Sequence, residues 1–232
     1  MLSDDGIMTF EFPHLRQLVN NNQFDTIYHE HFFYYSLTAV ESIFKKHDLK
    51  IFDVQELSTH GGSIRIFVTR ESNKKYEISD NVHRILSQEK EEGYLDVNFY
   101  QSFDRNVRQT KRSILKMLID LKEKNKTIVG YGAPGKGNTL LNYCGIGTDF
   151  IDYTVDRNPH KQGHLLPGSL IPILHPDRIR DMQPDYIFIL PWNLKNEIMK
   201  QISYVSEWGG KFIIPIPEPQ IITPQKVRAQ KV

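Results

Sequence analysis

The stretch from Thr127 to Pro217 constrains the fold of this chain more than any other. It reads TIVGYGA, a glycine-rich turn opening PGKGNTLLNYCGI, then FIDYTVD, DYIFILP, NLKNEIMKQISYVSEWGG and KFIIPIP. Short apolar runs rich in β-branched residues read as buried strands. Longer stretches with apolar residues three and four apart read as helices, the last one stopped by Gly209-Gly210. Alternating strands and helices build a parallel sheet covered on its faces, so residues 127–232 are expected to form a Rossmann-like parallel-sheet domain of α/β class.

The preceding region has another rhythm. Ile7 to Phe12 (IMTFEF) alternates in the manner of a strand, and Ser36 is placed to cap a helix carrying Leu37, Val40, Ile43 and Phe44 and ending near residues 46–48. LKIFDVQEL and SIRIFVTR read as two more strands, joined through Ser58-Thr59-His60-Gly61-Gly62, where paired glycines permit a turn closed to other residues. Residues 1–75 are expected to form one domain and residues 76–126 a charged helical connector, with Ile85, Val107, Ile114 and Leu118 on its apolar face. No Pro- or Gly-rich linker marks the boundary.

At 232 residues the chain can bury two cores. Its 29 basic and 28 acidic residues leave a net charge of +1, which gives no support to a nucleic-acid partner. No apolar run approaches the roughly 18 residues of a membrane span, and MLSDDGIMTFEF lacks the regions of a signal peptide, so a cytoplasmic protein is expected. The single cysteine, Cys144, excludes an internal disulfide and a thiolate zinc cluster. His29 and His31 share a face only on a strand and lack a third ligand, so no metal is expected.

GYGAPGKGN contains Gly130-x-Gly132-x-x-Gly135 between a strand and a helix, the setting of a dinucleotide fingerprint, and Asp156 ends the next strand, where a carboxylate can accept a ribose hydroxyl. The same letters begin a P-loop but place Gly137 where a hydroxyl would hold magnesium, which disfavours an ATPase. Backbone amides at the helix start, with the Lys136 ammonium, suit a diphosphate. Alternatively the glycines serve only close packing of strand on helix. Asp156-Arg157 and Pro191-Trp192-Asn193 follow strand ends, where ligands of doubly wound sheets sit; Trp192 is either a base-stacking platform or a packing aromatic.

With FDTIYHEHFFYYSL, THGGSIR, VGYGAPGKGNTLLNYCGI, VDRNPHKQG, LPG and ILPWN in this order from Phe24 to Asn193, the chain resembles the C-terminal part of S-adenosylmethionine-dependent C-methyltransferases acting on nucleotide-linked keto-deoxysugars. The resemblance implies that residues 1–75 are the end of a class I methyltransferase domain, with the first strand similar to that sheet's fifth. It further implies that residues 127–232 hold the sugar nucleotide. S-adenosylmethionine is the implied cofactor, its main binding loop lying upstream of Met1, and a separate upstream methyltransferase half is a candidate partner.

Methylating carbon requires removal of a proton beside a ketone by a positioned base while the enolate oxygen is stabilised. By resemblance His31 is the base, Glu30 its partner and Tyr28 the hydroxyl donor, with His29 less favoured; without the resemblance, a His beside a Glu reads as a satisfied surface pair and the flanking aromatics as core. His60, Gly61, Gly62, Ser63 and Arg65 are candidates for the same cleft, or form a plain hairpin turn with a solvated arginine. The candidate sugar-nucleotide contacts are Gly130, Tyr131, Gly132, Gly135, Lys136, Asn138, Asp156, Arg157, Trp192 and Asn193. Two other functions remain open: a non-catalytic nucleotide-sugar-binding module, and an NAD-dependent oxidoreductase, which lacks a recognisable set for hydride transfer.

Overall fold

The structure, a computed structural model, describes residues 2–224. It divides into two compact units: the chain up to Gln23 together with Glu30–Asn106, and Phe24–His29 together with the chain from Val107 onward. The second division falls inside a long helix of the expected connector. The excursion of six residues into the second unit has no counterpart in the linear reading.

The first unit contains β1 (Met8–Pro13), α1 (Leu15–Asn20), α2 (Leu37–Lys45), β2 (Leu49–Leu57), β3 (Ser63–Arg70), α3 (Asp80–Glu92) and the start of α4 (Val97–Glu123). Its strands pair antiparallel in the order β1-β3-β2. Successive strand side chains point to opposite faces, so Ile64, Ile66 and Val68 of the central strand lie on one face, packed with Leu37, Val40, Val82 and Ile85. Burying each such side chain is worth about 1.5–3 kcal/mol, which is what fixes the register of β3 between its neighbours. Ser36 caps α2 as expected, its Oγ accepting from the Ala39 amide at 3.1 Å. A second cap comes from Glu89 on α3, whose carboxylate accepts from the Leu37 and Thr38 amides at 2.8 Å each and meets His14 Nε2 at 2.8 Å. Helix α1 escapes the linear reading because HLRQLVN offers fewer than two turns of periodicity.

The second unit contains the rest of α4, β4 (Ile128–Tyr131), α5 (Gly135–Cys144), β5 (Thr154–Val155), β6 (Ile173–Leu174), α6 (Arg178–Met182), β7 (Tyr186–Ile189), α7 (Lys195–Gln201), β8 (Lys211–Ile214) and β9 (Gln220–Ile222). Its sheet runs β6-β5-β4-β7-β8-β9, parallel except for the last pair. The chain leaves β4 toward β5 and β6 on one side and returns to β7 and β8 on the other, so the order reverses between β4 and β7. In doubly wound sheets that reversal opens the ligand crevice at the strands' carboxyl ends. The single helix expected over residues 193–210 is α7 bracketed by 3-10 turns at Trp192–Leu194 and Ser203–Trp208. Among the described residues, no helix is long and apolar enough to cross a membrane.

Candidate functional site

In the second unit the two loops at the switch point come close because one is built on glycine. Gly132 has φ +87°, and a Cβ there would stand 2.7 Å from Pro191 Cδ. Asp156 clamps the turn: its Oδ2 accepts from the Ala133 amide at 2.7 Å and its Oδ1 from the Asn158 amide at 2.8 Å. Lys161 Nζ donates to the Ala133 carbonyl at 2.9 Å and lies 3.6 Å from Asp156. Asp156 therefore holds the loop together before it offers anything to a ribose. Beside it, Arg157 is exposed and, with Tyr131, Gly132, Pro191 and Glu197, lines a cavity of ≈ 160 Å³. Gly130 sits deeper, where a Cβ would lie 2.6 Å from Thr154 Oγ1, so this glycine serves close strand packing.

The glycine-rich turn delivers the chain to Gly135, the first residue of α5, whose opening amides have no partner within the helix and suit an anion. Lys136, one residue on, lies with Nζ 4.5 Å over the centre of the Trp192 ring and donates to Asn193 Oδ1. Trp192 is 7% exposed, which favours packing over base stacking, and its Nε1 donates to Asp25 Oδ2 at 2.7 Å. Asp25 comes from the 3-10 turn Phe24–Thr26, held against α5 in part by Phe24 on the Tyr143 ring at 5.2 Å. Burial pushes the Asp25 carboxyl up to about 6, against the pull of the Trp192 N–H and the Lys136 charge. The Lys136 ammonium is in turn lowered by burial, with Asp25 acting in the opposite sense. Tyr28 lies on the same helix start: a Cβ at Gly135 would be 3.4 Å from Tyr28 Cε2. Asn138 Oδ1 is buried there without a hydrogen-bond partner.

In the first unit His31, His60 and Ser63 line one cavity of ≈ 260 Å³ together with Glu11, Phe12 and Pro13. The turn between β2 and β3 builds one wall. His60 adopts φ 55°, uncommon for a residue with a Cβ, and Gly62 at φ +126° leaves room for Gln17, whose Cγ a Cβ would approach to 2.6 Å. The Gly61 carbonyl accepts from Gln23 Nε2 at 2.6 Å, and Ser63 Oγ donates to the Thr59 carbonyl at 3.1 Å. Arg65 keeps much of its side chain in solvent. It pairs with Glu11 at 2.7 Å, and this guanidinium holds the Glu11 carboxyl below the usual carboxylate range. Arg65 thus reaches the cavity through Glu11. His31, half-buried, meets the Tyr34 ring edge-on at 6.2 Å. Glu30 is exposed and does not line the cavity, and Tyr28 with His29 belongs to the second unit.

Two residues of these sites escape a linear reading. Glu11 stands directly opposite Arg65 in the β1–β3 register, so pairing IMTFEF with SIRIFVTR in space is the signal that finds it. Asp25 looks like an ordinary turn residue, and only its 0% exposure marks it.

Residues 58–217 match the C-methyltransferase C-terminal domain family. The chain belongs to this family. It is also similar to the C-methyltransferase NovU of Streptomyces niveus, 39% identical over 223 residues, which are 96% of this chain and 53% of that protein. The chain thus spans about half the length of that curated relative. The matched family segment takes in the turn at His60–Ser63 and the whole glycine-rich loop of the second unit, whereas His31 precedes it.

The methyl donor that the family implies meets no matching feature in the first unit. Among its described residues the paired glycines of the Gly61-Gly62 turn lead into a strand, not into a helix whose amides could face a nucleoside. Among the described residues no group of three or more His, Cys, Asp or Glu side chains could hold a metal ion.

Proposed function

We propose that this chain is the C-terminal part of a C-methyltransferase that transfers a methyl group from S-adenosylmethionine to a carbon beside the ketone of a nucleotide-linked 4-keto-6-deoxysugar. The observation that carries the reading is the first unit's cavity, which joins His31 of the YHEH run to His60 and Ser63 of the HGGS turn, in a chain of this family. His31, as the neutral imidazole, takes the proton from the carbon beside the ketone. Proton removal leaves an enolate, whose oxygen needs a hydrogen-bond donor in the same cavity. In the second unit the first amides of α5 and the Lys136 ammonium hold the diphosphate of the nucleotide. The features that bind the methyl donor are assigned to the part of the enzyme that corresponds to the other half of the Streptomyces niveus relative.

The test is methyl incorporation by the purified chain combined with the N-terminal half of the Streptomyces niveus relative, using labelled S-adenosylmethionine and nucleotide-linked 4-keto-6-deoxysugars. His31→Ala is expected to lower the rate at least about 100-fold, the usual scale for a lost general base. Failure of every such sugar to accept a methyl, or full activity of His31→Ala, overturns the proposal. A second reading, a nucleotide-sugar-binding module without chemistry, is favoured by the second unit's own anion-suited helix start, where Lys136 meets Asn193. It predicts diphosphate-dependent binding sensitive to Lys136→Ala with no methyl transfer.

A further inference from the structure

Asp25 is a fully buried carboxyl of the second unit whose position no assigned role explains. It is 0% exposed, its Oδ1 has no hydrogen-bond partner, and its Oδ2 is taken by the Trp192 indole. Burying a carboxylate with a single good partner is costly, and an apolar residue of similar volume would pack there without that cost. The geometry shows what the carboxylate accomplishes. An indole anchored at its N–H cannot rotate, so its face stays under Lys136 Nζ at 4.5 Å, while the adjacent residue of the same turn, Asn193, takes a hydrogen bond from that ammonium. Lys136 has four rotatable side-chain bonds and would otherwise sample many positions, which lowers the affinity of any site built on it. The ionisable groups facing Asp25 from α5 are Lys136 and Cys144, and the thiol stays neutral because burial pushes it up to about 12.

We infer that Asp25 is a positioning residue for ligand binding: by fixing the Trp192 indole it holds the Lys136 ammonium at the first turn of α5, where the diphosphate of a nucleotide sugar docks. This rests on the proposed function for the identity of the ligand. The assignment itself is independent of any chemistry in the first unit.

The experiment is a double-mutant cycle on the full chain, read by calorimetry with uridine and thymidine diphosphate as probes. Lys136→Ala is expected to weaken binding about tenfold and Asp25→Ala about five- to tenfold. Asp25→Asn, which keeps an acceptor for the indole N–H, is expected to stay within about threefold of the parent chain. Because Asp25 acts through Lys136, Asp25→Ala added to Lys136→Ala is expected to cost less than about twofold more. Should Asp25→Ala fail to fold, Trp192→Phe takes its place in the cycle, since it keeps the ring and removes the anchored N–H. Additive losses, or Asp25 variants that bind like the parent while Lys136→Ala is impaired, overturn the positioning role and leave the diphosphate site standing. Loss of nothing on Lys136→Ala, or no binding by the parent chain, overturns both.

Discussion

The Trp192 indole N–H donates to the Asp25 carboxylate at 2.7 Å, joining residues 167 positions apart within one compact unit. That bond explains why six residues from the middle of the first unit's sequence belong to the second. It also leaves a titratable group in a nearly dry environment, and its protonation is coupled to folding.

The first prediction concerns that coupling. The Asp25 carboxyl titrates near 3.8 when free and at about 6 in the fold, so the folded chain binds more protons between those values. Its contribution to stability is whole below pH 3.8 and fades as pH rises through 6. Asp25→Asn removes the titration. In urea unfolding, the stability of the parent relative to Asp25→Asn should fall by about 1 kcal/mol between pH 5 and pH 7.5. A constant difference would mean that Asp25 is not buried as described.

Glu89 behaves in the opposite sense. Burial alone would raise its carboxyl, but the hydrogen bonds from His14, from the Thr38 hydroxyl and from the Thr38 and Leu37 amides outweigh it and hold the group below 4.5. Its contribution is therefore present above 4.5 and is lost as pH falls through the depressed folded value. Glu89→Gln, which cannot serve both the α2 cap and His14, should cost about 2–4 kcal/mol in urea unfolding at neutral pH. The cost should shrink in acid.

Gly132 and Gly145 both have positive φ, +87° and +75°, but only the first has neighbours in the way of a Cβ. Gly145→Ala should cost about 1–2 kcal/mol, the backbone strain alone. Gly132→Ala carries the same strain plus a 2.7 Å clash with Pro191 at the crevice, so it should lower thermal stability further and weaken nucleoside diphosphate binding, which Gly145→Ala leaves unchanged.

What could be read in advance followed from periodicity. LKIFDVQEL and SIRIFVTR coincide with β2 and β3, and Ser36 caps α2, because alternation and a hydroxyl before an apolar helix are local signals. Strands β5 and β6 are two residues each, too short for any period; FIDYTVD announces the first and nothing announces the second. The roles of Asp25 and Glu11 depend on partners far along the chain, Trp192 and Arg65, and no spacing rule connects them. Lys136 was visible at the helix start after the glycine-rich turn, and Trp192 and Asn193 beyond a strand end, whereas their mutual contacts come only from the switch-point geometry.

Cys144 provides a probe of the second unit. It is buried on α5 and its thiol is pushed up to about 12 by burial, so a thiol reagent at about pH 8 should modify the native chain only at the rate of local or global opening. Rapid stoichiometric reaction of the folded chain would contradict the packing of α5 against the sheet.

The claim that His31 is the base for carbon methylation is tested most directly without any methyl donor, by incubating the chain with a nucleotide-linked 4-keto-6-deoxysugar in deuterium oxide and following the carbons beside the ketone by proton NMR. The account predicts deuterium entering one of those carbons at a rate that falls at least about 100-fold in His31→Ala. Exchange no faster than in buffer alone, or equally fast with and without the His31 imidazole, would contradict it.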